Sequence, residues 1–117
     1  MLRQIPFDDE FDYASYVDMF RYEMTEYYDK RPSVKEACAY VIDQNVYWDK
    51  KTMGMNYLVD YIAIFLFQIE HDAFDREMLE TMKPDILDYV DGKYDNLFTE
   101  NDLKLAKADV QKIIQQA

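Results

Sequence analysis

Most of the chain alternates between apolar and polar positions at helical spacing, and one stretch has no polar side at all. Tyr13, Tyr16, Val17, Phe20, Met24, Tyr27 and Tyr28 form a single stripe and predict a helix from near Asp9 to Asp29. Asp8, Asp9 and Glu10 sit at its start, where carboxylates complement free N–H groups. Lys30 and Arg31 sit at its end with the favourable sign, and Pro32 stops it. Ser33 and Glu36 have the spacing of a capping box. They open a second helix on which Val34, Ala37, Cys38, Val41, Ile42 and Asn45 share a face. The pattern blurs at Val46, Tyr47 and Trp48, and residues 49–54 (DKKTMG) read as a connector.

The stretch without a polar side is YLVDYIAIFLF, residues 57–67, in which Asp60 is the one carboxylate. A helix that is apolar all round is one that other helices enclose, so this segment is the expected centre of the fold. From Tyr57 to Ile69 the run is long for a strand and short of the roughly 20 residues that span a bilayer. Capped by Thr52 or Asn56, this helix places Asp60 in its first two turns. There the acid reads in two ways. It is a structural group bonded to backbone N–H groups, a tyrosine hydroxyl or a lysine, or a buried functional acid with a raised pKa.

A fourth helix is expected from Asp75 to Asp91, stopped by Gly92. Met78, Met82, Ile86 and Val90 keep a spacing of four through Pro84, with Leu79 and Leu87 beside them. Pro84 projects opposite that stripe, which favours one helix kinked outward over a break with Pro84 opening a new helix. A fifth helix begins at Thr99 and runs to the chain end, with Leu103, Leu105, Ala106, Val110, Ile113 and Ile114 on its apolar side and Lys104, Lys107 and Lys112 as its basic face. The chain therefore reads as one all-α domain, residues 1–117: a bundle of about five helices around a central apolar helix near residues 56–71.

Composition supports this and narrows the partners. Two glycines and three prolines in 117 residues are too few turns for a β protein. The charge is −11, from 24 acids against 13 Lys and Arg, which argues against nucleic acid or acidic lipid as a ligand. The N-terminus turns acidic before a signal-peptide core develops, and a lone cysteine forms no internal disulfide, so a soluble protein of the reducing cytoplasm is expected.

Catalytic chemistry finds little footing. The lone histidine, His71, adjoins Glu70 and Asp72, but neighbouring helical residues diverge, and neither Glu-x-x-His nor HExxH is present. A polar elbow closing the central helix explains the stretch better than a metal site. Ser15 lies in a helix and Ser33 at a cap, Cys38 lies on an apolar stripe, and Gly54 and Gly92 form no phosphate loop. No enzyme, metal or cofactor is expected. The surface carries two acidic faces: Asp12, Tyr22, Glu23 and Glu26 beside Met19 on the first helix, and Glu77, Glu80, Asp88 and Asp91 beside Pro84 on the fourth. Acids speed encounter with a basic partner, and an aromatic or methionine fills a pocket once docked.

Residues 57–80, YLVDYIAIFLFQIEHDAFDREMLE, carry a resemblance. An aromatic-rich buried helix ends in a Glu-containing elbow and passes into an acidic helix. Over about a fifth of the chain this resembles the small, acidic, all-helical immunity proteins of bacterial toxin systems. That family often has Trp in the central helix and a small residue after the elbow Glu, where this chain has Trp48 upstream and His71 after Glu70. The resemblance implies a cytoplasmic antidote that blocks one cognate toxin, often a nuclease. The expected function is thus an acidic inhibitor that occludes a basic partner through the two faces above. A second reading is a homo-oligomeric structural or adaptor domain, of the kind phages encode, joined through Tyr40, Tyr47 and Trp48. A third is a helical metal-dependent enzyme using His71.

Overall fold

A computed structural model describes residues 12–52, 57–91 and 99–117. All regular structure among them is helical, in five rods. Helix α1 spans Tyr13–Lys30. Helix α2, Val34–Val41, runs through a π-helical turn, Ile42–Val46, directly into α3, Tyr47–Thr52. Then follow α4, Leu58–Glu70, α5, Arg76–Val90, and α6, Glu100–Ile114.

Helix α4 is the centre. Its residues from Leu58 to Gln68 are buried apart from the half-buried Tyr61, and α1, α2 with its π turn, α5 and α6 all pack on it. A side chain like Phe65 or Ile62, both fully buried, contributes about 1.5–3 kcal/mol when removed from water. Enclosure on every side is therefore what a helix with no polar face needs.

Local chemistry sets the ends. Asp12 caps α1, its Oδ1 accepting the Ser15 N–H at 2.7 Å. The expected start at Asp9 and the acids at 8–10 lie outside the described residues, as do Asn56, Gly54 and Gly92. Ser33 caps α2 through the Glu36 N–H, but the Ser33 N–H donates to the Arg31 carbonyl at 2.6 Å. Only half of the expected capping box is thereby seen. Asp75 caps α5 and Thr99 caps α6 through the N–H groups of Met78 and Asp102.

Three expectations are corrected. Residues 49–52 belong to α3 instead of a connector, which removes Thr52 as a cap for α4. The π turn explains the blurred pattern: it moves the buried position from Val41 to Val46, five residues on, after which Asp49 follows at three. Leu105, assigned to the apolar side of α6, is 40% exposed, because α6 buries the narrower row Asp102, Ala106, Val110 and Ile113. Helix α5 runs unbroken through Pro84, which is exposed on the side away from Leu79, Ile86 and Val90. An outward proline leaves its orphaned carbonyl where water can reach it.

The elbow after α4 is a Schellman turn. The Ala73 N–H donates to the Gln68 carbonyl and the Asp72 N–H to the Ile69 carbonyl, with Asp72 at φ 51° in the left-handed region. Glu70 at this corner pairs with Arg21 of α1. His71 packs its ring against Phe67 and Tyr28, at 4.3 and 4.6 Å between centroids.

Candidate protein-binding face

Helix α1 lies antiparallel to the rod formed by α2, the π turn and α3, and three side-chain contacts mark the line between them. Tyr16 donates to Asp49 Oδ2 at 3.4 Å, Asn45 Nδ2 donates to Glu23 Oε2 at 3.1 Å, and the Tyr27 and Tyr40 rings stack at 4.9 Å. At about 100° per residue, Met19, Glu26 and Tyr22 lie progressively off this line on the side away from the buried row Tyr13, Val17, Phe20 and Met24. On α3, Trp48 precedes the buried Asp49 by one residue, diverges from it by about 100° and lies nearly opposite Val46. Met19 and Tyr22 on α1 and Trp48 on α3 are exposed by 44, 64 and 65%. Glu26 stands beside Tyr22, its Oε1 accepting the Tyr22 hydroxyl at 3.2 Å.

Under this seam lies a buried acid pair. Asp60 is fully buried and Asp49 is 5% exposed. Among the described residues no N–H or O–H donates to either Asp60 oxygen, so the expected backbone, tyrosine or lysine partner is not what it meets there. It meets the carboxyl of Asp49, and two carboxyls hydrogen-bond only through a retained proton. Burial first, then the bond and the charge of Asp49, push Asp60 up to about 10. Burial also raises Glu23 at the seam, and burial with the nearby acids raises the phenols of Tyr16 and Tyr89. The acid expected near the start of α4 is therefore a proton-holding group.

The sequence-predicted site residues fall into unequal sets. Tyr22 and Glu26 are exposed together at the seam. Asp12 is spent on the α1 cap, and Glu23 is half-buried under Asn45. On α5 Glu77 and Glu80 are exposed, as is Asp91 at its C-terminal cap, while Asp88, expected on the same outer face, is half-buried. No large apolar side chain is exposed on that helix, and α5 packs chiefly on α4 and α6. The two acidic faces are separate surfaces. The residue placed differently is Trp48, which the sequence grouped with Tyr40 and Tyr47. The π turn that sets which side of α3 is buried, and so turns Trp48 outward, leaves only a blur in the pattern. Tyr40 instead stacks on Tyr27, while Tyr47 is turned towards Tyr61.

Among the described residues no group of three or more His, Cys, Asp or Glu is arranged to hold a metal. No helix among them is long and apolar enough to cross a membrane. The chain matches no family model, no curated protein and no solved structure.

Proposed function

We propose that this chain is an acidic protein-binding module of the immunity type, a cytoplasmic inhibitor that covers the active site of one basic partner, such as a bacterial toxin nuclease. The observation that carries the reading is the α1–α3 seam. Three large side chains, Met19, Tyr22 and Trp48, stand exposed there beside Glu26, on a protein of charge −11. Aromatic anchors with a charged surround are what tight interfaces use, the anchors for affinity and the charges for approach. The acids of α5 and of the rest of the surface add to the attraction without docking. At the seam the carboxylate of Glu26 takes the place of a nucleic-acid phosphate in the partner's groove.

The test is binding to the product of the adjoining gene, followed by surface plasmon resonance over a salt series. An association rate that falls steeply with salt is expected. A rate indifferent to salt, or no complex with any basic partner, overturns the reading. A homo-oligomeric adaptor finds its support in Tyr47 and Trp48, 60 and 65% exposed. Light scattering that shows a stable dimer, with Trp48 fluorescence shifting on dilution, would favour that alternative.

A further inference from the structure

A second surface lies where the end of α4 meets α2 and the start of α5, away from the α1–α3 seam. It is an open groove of 830 Å³. Its walls are the half-buried Val34, Ile42, Phe74 and Met78, and its floor is Cys38 and Gln68, each 3% exposed. Gln68 is the informative residue. Its Oε1 accepts the Asp75 N–H at 3.1 Å, which fixes how the amide is turned and directs Nε2 to the groove floor. There, among the described residues, Nε2 finds only sulfur, Cys38 Sγ and Met78 Sδ, both at 3.9 Å. Thiol and thioether sulfurs are weak acceptors. A buried amide with two strong donors is therefore left without an oxygen, at the bottom of an apolar cleft.

We propose that this groove takes a short apolar segment of a partner polypeptide, one of whose backbone carbonyls accepts from Gln68 Nε2. The groove's own chemistry selects that occupant. An apolar wall next to a strong donor matches an apolar residue next to its own carbonyl, a pairing that a polypeptide repeats along its length. The rim sets Lys35 and Arg76 against Asp72, Asp75 and Glu77, all exposed, so the mouth does not favour an anionic head group. The volume falls within the roughly 300–1,000 Å³ of ligand-binding clefts. The inference rests on the protein-binding reading only in naming a polypeptide, and it adds a contact distinct from the seam. Helix α4 would then hold one end under a docking face and the other under a peptide groove.

The experiment uses the full ¹⁵N-labelled chain and a blocked pentapeptide of three leucines between two lysines, with a three-serine version as control. Saturable movement of the Gln68 side-chain amide cross-peaks by the leucine peptide alone is expected. Ala39→Trp, from an exposed position on the groove's edge, should weaken that binding by about tenfold or more. Should that variant fail to fold, Lys35→Trp on the same rim takes its place. Unmoved Gln68 signals, equal binding of the serine peptide, or an undiminished effect in a folded rim variant overturns the proposal. Because the readout needs no natural partner, its failure leaves the seam reading standing. Loss of partner binding in seam variants with the peptide response intact would remove the seam reading and leave this one.

Discussion

Two acidic helix faces look alike in the sequence and differ in what surrounds them. On α1, Glu26 stands beside Met19 and Tyr22, with Trp48 across the seam and a buried acid pair beneath. On α5, Glu77, Glu80 and Asp91 flank an exposed proline, and the large apolar side chains of the helix are buried or half-buried. The charge patterns are comparable, so charge alone does not distinguish a docking face from a solvated one. Apolar side chains left exposed among the acids, on elements that the fold has already locked together, make the distinction. If that is right, the two faces should respond very differently to the same kind of mutation.

The largest difference is expected from the anchors. Trp48→Ala combined with Tyr22→Ala should weaken partner binding by about 2–4 kcal/mol, on the scale of interface hot spots. Both side chains are more than half exposed, so the melting temperature should hardly move. Calorimetric titration reads the first quantity and a thermal melt the second. Binding within twofold of the parent would erase the contrast between the faces.

What lies beneath the seam gives the next effect, on stability. Asp60 has a folded pKa near 10 against an ordinary value of 3.8, so the folded chain keeps a proton that the unfolded chain releases between those values. The stabilisation is fully present below about pH 4 and is lost as pH rises towards 10, with a slope of at most about 1.4 kcal/mol per pH unit. Glu23, also raised by burial, acts in the same sense. The groups facing Asp60 come from three helices: Tyr16 and Glu23 of α1, Asp49 of α3 and Tyr89 of α5. Urea unfolding at pH 5 and pH 8 should show lower stability at pH 8. Asp60→Asn, which donates to Asp49 without needing a proton, should flatten much of that slope. At pH 8 it should be the more stable chain by on the order of 2 kcal/mol.

How far these differences could be read from the sequence depends on whether the signal is periodic. The buried stripe of α1, the enclosure of α4 and the outward proline of α5 all follow from spacing, because each is a property of a regular helix. Trp48 and Asp49 do not, since the five-residue step from Val41 to Val46 breaks the period that would have placed them. Asp60 was visible as an odd acid in an apolar run. Its partner was not, because a carboxyl 11 positions earlier gives no sign of facing it. The loss of Asp12 to a cap was within reach of the sequence: Ser15 stands three residues on, the usual distance for a capping N–H.

Charge reversal at the two faces gives the smaller effects. Glu26→Lys should slow association by about tenfold at low salt and by less at high salt, since a local charge among the anchors acts on approach more than on dissociation. Stopped-flow mixing over a salt series measures it directly. Glu80→Lys on α5 should change the association rate by less than about twofold, through net charge alone. It should also stabilise the fold slightly. Glu77 and Glu80 are like charges three residues apart on an exposed helix surface, and relieving that pair is worth a few tenths of a kcal/mol. A small gain in urea midpoint with nearly unchanged kinetics is the expected pair of results. If Glu80→Lys slows association as much as Glu26→Lys does, α5 is itself part of the docking surface. Exposed aromatics would then have been the wrong criterion for telling the two faces apart.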